Sequence, residues 1–193
     1  VLDVAAGCFI QAISARPADT EAVAHALQSI LAAGAYDRIA DVAGSSQLAA
    51  ADLEGMVDKA VEAQRIDPGS AAQRLLSVWS AYAGGRYEET VAMSSPAVRG
   101  GGDMRYYIPM ALAFVRLGFP ELASREFDRA IRNPDIPDDV RLALKYHAGV
   151  IQLGQGNVEQ AAQLLREVRE ASPGFREVDE LIAACEKQGS RIA

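Results

Sequence analysis

One spacing recurs along this chain and limits what it can fold into. A small residue is followed at +4 by a large one, at +7 by a smaller one and at +12 by proline: Ala5, Phe9, Ala12 and Pro17 near the start, Ala161, Leu165, Val168 and Pro173 near the end. Ala123, Phe127 and Ala130 repeat it with Pro134 at +11, Thr90, Ser94 and Ala97 give a weaker copy, and Ile39 with Ala43 opens another. Offsets of 4 and 7 lie on one face of an α-helix. Each copy is therefore a helix that admits a neighbour at its small residues and fills the space beside them with the large one. The anchors at 5, 39, 90, 123 and 161 are 34, 51, 33 and 38 positions apart. Three of these intervals lie near one period and the fourth is one and a half, which predicts stacked helix pairs with an extra helix in the long interval.

Composition agrees with that reading. Of 193 residues, 50% are hydrophobic and 23% charged, which supplies a sizeable core and excludes a disordered chain. Apolar residues recur at helical spacing and no run alternates with period two, so the fold class is all-α. Nineteen basic against 26 acidic residues give a net charge of -7, which argues against nucleic acid as a partner. The uncharged stretch Val4 to Ala15 falls short of the about 20 residues that span a bilayer, so no transmembrane segment is expected. Arginine outnumbers lysine 16 to 3, as in a GC-rich bacterial genome. Cys8 and Cys185 lie 177 positions apart with no CxxC pair, and both read as small packing residues.

Punctuation divides residues 1–193 into one array. Residues 1–17 read as the second helix of a truncated repeat, 20–46 as a repeat, and 47–68 as an inserted helix from Ala50 to Ile66, stopped at Asp67-Pro68-Gly69. Ser70 and Gln73 form a capping box that opens a repeat over 70–99. Further repeats cover 103–136 and 137–173, and 175–190 is a capping helix. Pro96 should end or kink its helix, with Arg99 to Asp103 as a glycine loop. The apolar face of the first helix, Leu2, Ala5, Ala6, Phe9, Ala12 and Ile13, has no first half before it. Upstream repeats of a larger protein, or a second copy in a homo-oligomer, are expected to pack there.

The period and the turns Gly85-Arg86-Tyr87-Glu88-Glu89, Leu117-Gly118-Phe119-Pro120-Glu121-Leu122-Ala123 and Gln155-Gly156-Asn157-Val158-Glu159-Gln160-Ala161 resemble the tetratricopeptide repeat over most of the chain. The resemblance implies a right-handed superhelical α-solenoid of antiparallel helix pairs. It also implies a concave groove, lined by the first helix of each pair, that binds a peptide, helix or partner domain.

Catalytic constellations are not evident. His25 and His147 lack metal-ligand companions, Glu88-Glu89 and Asp138-Asp139 sit where helix dipoles favour negative charge, and Gly100-Gly101-Gly102 lacks the Lys-Ser/Thr of a phosphate loop. No catalytic residue, metal or cofactor is expected. The first helices do carry a repeated apolar stripe: Leu75, Trp79 and Tyr82, then Ile108, Leu112 and Val115, then Tyr146, Val150 and Leu153. Arg105 and Arg116 flank the middle stripe and are placed to hold an acidic group. Either these residues line the groove or the first helices are slipped and the stripes are core. For the middle repeat, Tyr107, Met110, Ala111 and Phe114 already fill a core face and leave the stripe over; for the last, the opposite face would carry Lys145 and Gln152.

The function expected is a non-catalytic scaffold for a protein or peptide. Alternatives are a regulatory or substrate-docking region of a larger enzyme, or a scaffold of an envelope polysaccharide or protein secretion system. A cytoplasmic or periplasmic location depends on what precedes Val1.

Overall fold

The computed structural model describes residues 2–67, 69–101 and 103–189. Pro68 of the expected helix stop and Gly102 of the expected loop lie outside them, as do Val1 and residues 190–193. All regular structure among the described residues is helical: α1 (Leu2–Ala15), α2 (Thr20–Ala33), α3 (Ile39–Ser45), α4 (Ala50–Ala63), α5 (Ala71–Ala83), α6 (Tyr87–Arg99), α7 (Tyr107–Arg116), α8 (Pro120–Ile131), α9 (Asp138–Gly154), α10 (Val158–Ala171) and α11 (Val178–Gly189). Single 3-10 turns at Tyr36–Arg38 and Met104–Tyr106 lead into α3 and α7. Contacts group into two compact units, Val1–Ser94 and Ser95–Ala193, with the boundary inside α6.

The repeat reappears as a turn. After α7, Gly118 adopts φ +85° and the Phe119 N–H reaches back to the Phe114 carbonyl at 2.8 Å. That left-handed glycine satisfies carbonyls the helix end leaves open, and a Cβ would be strained there. The same five-residue reach runs from Ala35 to Ile30 behind Gly34, from Arg86 to Ala81 behind Gly85, and from Asn157 to Gln152 behind Gly156. Each glycine stands five residues before an anchor of the sequence period, at Ile39, Thr90, Ala123 and Ala161. Of the expected capping box, Ser70 caps α5 by accepting from the Gln73 N–H, while the Gln73 side chain accepts from the Gly69 N–H instead of from Ser70; Asp19 caps α2 by accepting from the Ala22 N–H.

In the first unit α1 packs along α2 and touches α3. Phe9 is half-buried and stacks on the His25 ring at 5.3 Å, while Ala6 and Ile13 are fully buried. The extra helix α4 lies against both α2 and α5, with Leu53 and Val57 inward. Beside α1, the buried Arg38 guanidinium comes within 3.7 Å of where a Gly7 Cβ would stand and bonds Asp41 through Nε at 3.3 Å. The buried Arg38 charge is thus met by the Asp41 carboxylate three residues on.

The second unit is more regular. α8 packs on α7 and α9, α10 on α9 and α11, and the first helices α7, α9 and α11 touch in sequence. Phe127, Leu144 and Leu165 are completely buried. Gln152 is also buried, bonded to Ser124 at 3.3 Å and to Asn157 at 2.7 Å, so polarity did not keep this face of α9 out of the core.

Two expectations need correction. α6 runs through Pro96 to Arg99 without ending there. The proline costs one backbone donor, and the residue whose carbonyl would have received it, Ala92, is exposed and open to water. Cys8 is exposed; only Cys185 packs in the core. The weak copy on α6 also has a cause: Thr90 and Ser94 are buried because their hydroxyls donate to the Arg86 and Thr90 carbonyls, at 3.0 and 2.8 Å.

α9 approaches α10 closely at Gly149. A Cβ built on Gly149 would lie 2.8 Å from Leu165 Cγ and 3.1 Å from its Cδ2. Gly149→Ala should therefore lower stability by about 1–3 kcal/mol in urea unfolding. Gly154→Ala, with nothing within 4 Å of its Cβ, should instead raise it by about 0.5–1 kcal/mol. Equal effects of the two substitutions would show that the crossing is not limited by contact at Gly149.

Candidate interaction surface

The expected groove residues divide by exposure. On α5, Leu75 and Trp79 are 1% exposed and Tyr82 is 6%. That helix is buried at every position from Val78 to Ala83, so its two faces do not split into core and groove. Trp79 meets Tyr82 edge-on at 5.6 Å, and Tyr82 meets Tyr87 edge-on at 5.4 Å. In the second unit Ile108 and Tyr146 are buried as well. Leu112 and Val115 are half-buried, Val150 is exposed, and Arg105 and Arg116 are exposed. Thus the structure places Leu75, Trp79, Tyr82, Ile108 and Tyr146 in the core and brings only Leu112, Val115, Val150 and the two arginines to the surface.

Tyr146 has a specific reason to be covered. Phe175 meets its ring edge-on at 5.7 Å, the Arg176 guanidinium lies 5.1 Å above it, and its hydroxyl donates to Glu177 Oε2 at 3.3 Å. The segment between α10 and α11 supplies all three partners, so Tyr146 anchors the last helix rather than a ligand. Arg176 also lies 4.7 Å from the Phe175 ring and places Nη1 3.4 Å from Nε2 of the buried His147. Sequence spacing could not reveal this cluster, because Phe175, Arg176 and Glu177 carry no helical period.

Arg105 is engaged next to its own helix. Arg105 forks onto Asp103, with Nε at 2.9 and 3.0 Å from the two carboxylate oxygens. Burial pushes the Asp103 carboxyl up, but the bonds from the Arg105 side chain and backbone N–H outweigh it and hold the group below its ordinary range. Arg105 thus closes the turn before α7. Burial pushes the Cys185 thiol up, away from thiolate reactivity. Among the described residues no group of three His, Cys, Asp or Glu side chains can hold a metal ion, and no helix is long and apolar enough to cross a membrane. Exposed apolar side chains not expected from the stripes are Phe119, 52% exposed in the turn before α8, and Met93.

Trp79 gives this placement a direct readout. Its emission should be blue and shielded from acrylamide, and Trp79→Ala should cost about 3–5 kcal/mol of stability. Red, quenchable emission would place the ring at the surface.

Comparison with known proteins gives one informative likeness. No family model matches the chain, and no curated protein matches it. A solved structure of a tetratricopeptide repeat protein from Parabacteroides merdae matches with a TM-score of 0.55 and 15% identity, over 96% of this chain and 78% of that one. At that identity the likeness shows the fold alone: the chain has an all-α, tetratricopeptide-like helical-repeat fold.

Proposed function

We propose that the chain belongs among tetratricopeptide repeat proteins and serves as a non-catalytic scaffold that binds a partner protein on the first helices of its repeats. The observation that carries this reading is the apolar remainder on α7 and α9. After the second unit has filled its core with Ile108, Met110, Leu144 and Ile151, Val150 is still 36% exposed and Leu112 and Val115 are half-exposed. Apolar area left at the surface of rigid, mutually packed helices is what a partner side chain can bury, at about 25 cal/mol per Å².

A photo-cross-linking amino acid placed at Val150 tests the proposal in cells. The expected result is a defined protein adduct at Val150 and none at Gln163, an exposed position on α10. An adduct pattern identical at both sites, or none at Val150, would overturn the assignment. Val150→Asp should weaken capture of that adduct's protein tenfold or more, about 1.4 kcal/mol, while unfolding free energy stays within about 0.5 kcal/mol of the parent.

A further inference from the structure

The first unit contains a second surface, on other elements and of different chemistry. A cleft of about 220 Å³ opens between α4 and α5, lined by Asp58, Val61 and Glu62 from the inserted helix and by Gln73, Leu76 and Ser77 from α5. Its volume is below the about 300 Å³ at which small-molecule pockets begin, so it suits one long side chain better than a metabolite. Leu76 is buried and Val61 half-buried, which gives the cleft an apolar floor.

Around that floor the exposed Asp58 and Glu62 keep carboxylate oxygens that no protein donor among the described residues engages. Ser80 donates to Asp58 Oδ1 at 2.6 Å, leaving Oδ2 for another donor. Glu62 is exposed, four residues further along α4, and among the described residues no hydrogen bond or ion pair engages its carboxylate. Two carboxylates at that spacing on one helix face repel each other, and a cation between them relieves the repulsion. Ser77 Oγ donates to the Gln73 carbonyl at 3.0 Å, which leaves its lone pairs facing outward, and Gln73 Oε1 is occupied by the Gly69 N–H at 3.2 Å. The wider field has the same sign. Residues 1–94 carry twelve acidic side chains against six basic ones.

We propose that this cleft receives an arginine side chain of a basic segment in a partner protein. The methylene stem lies on Val61 and Leu76, and the guanidinium, with five donors, spans Asp58 Oδ2, Glu62 and Ser77 Oγ. Lysine fits less well because a compact ammonium does not bridge acceptors on two helices. The inference rests on the scaffold reading only in assigning the arginine to a protein. Its site belongs to a different unit from Val150, so either can fail alone.

The test is a titration of the full chain, labelled with nitrogen-15, against N-acetyl-arginine amide. Saturable shifts are expected at the Gln73 side-chain amide and the Leu76 and Ser77 backbone amides, weakening as salt is raised. N-acetyl-lysine amide should bind more weakly, and N-acetyl-glutamine amide should produce no saturable shift. The near-isosteric Asp58→Asn/Glu62→Gln variant should lose saturation while keeping Trp79 emission unchanged. Should that variant fail to fold, Glu62→Gln alone, which removes no contact, should weaken binding about fivefold. Shifts that do not saturate, that spread evenly over the acidic surface, or that survive in a folded variant would overturn the proposal.

Discussion

Everything in this fold depends on how closely two helices can approach where one of them is small. Gly149 on α9 meets Leu165 on α10 at a separation that leaves no space for a methyl group, and Leu165 is completely buried as a result. Ala161, one turn before Leu165 on the same helix, is completely buried too. On α8 the small and large residues of the repeat, Ala123 and Phe127, are likewise completely buried. A large residue in place of any small one would drive the axes apart, and that separation would pass to the next helix, because α9 contacts α7, α8, α10 and α11 in turn.

Close packing of this kind consumes aromatic side chains. Trp79, Tyr82, Tyr106, Tyr107, Phe127 and Tyr146 are all buried, and two of the buried tyrosines meet other rings edge-on. An aromatic stripe on a first helix therefore does not mark a ligand surface in this chain. In a stacked array each first helix is flanked by the second helix of its own pair, the second helix of the previous pair and the neighbouring first helices. Only a narrow strip remains open. On α9 that strip is centred on Val150, and its neighbours Gly149 and Ile151 are already inside.

What was legible from the sequence follows the same division. The period, the glycine turns and the extra helix could be read because each is a local choice with a local consequence: Gly118 ends α7 whatever surrounds it. The depth of burial could not, because it depends on how many neighbours a helix has. Gln152 and Lys145 looked like an outward face, yet Gln152 is internal within a side-chain network and Lys145 pairs with Glu167 at 2.8 Å. Pro96 reads as an end or a kink of its helix; α6 does not end there, and the carbonyl the proline leaves without a donor belongs to the exposed Ala92. The Arg176 cluster left no trace in periodicity, since its residues act from an irregular segment.

The long interval in the repeat now has a structural meaning. In the second unit the first helices touch directly, whereas in the first unit α4 stands between α2 and α5 and contacts both. A helix added to that row brings a face that the periodic packing does not prescribe, and on α4 this face carries Glu54, Asp58 and Glu62 at four-residue spacing. Glu54 is committed: it pairs with Arg86, which also reaches Glu89 at 2.5 Å and so ties the α5–α6 turn to the added helix. Asp58 is half committed, to Ser80, and Glu62 has no bond among the described residues. Charge demand thus rises along α4 away from the turn that holds it in place. The residues that fix the added helix and those left for a partner are separated along one helix, so a partner can engage the second set without loosening the first.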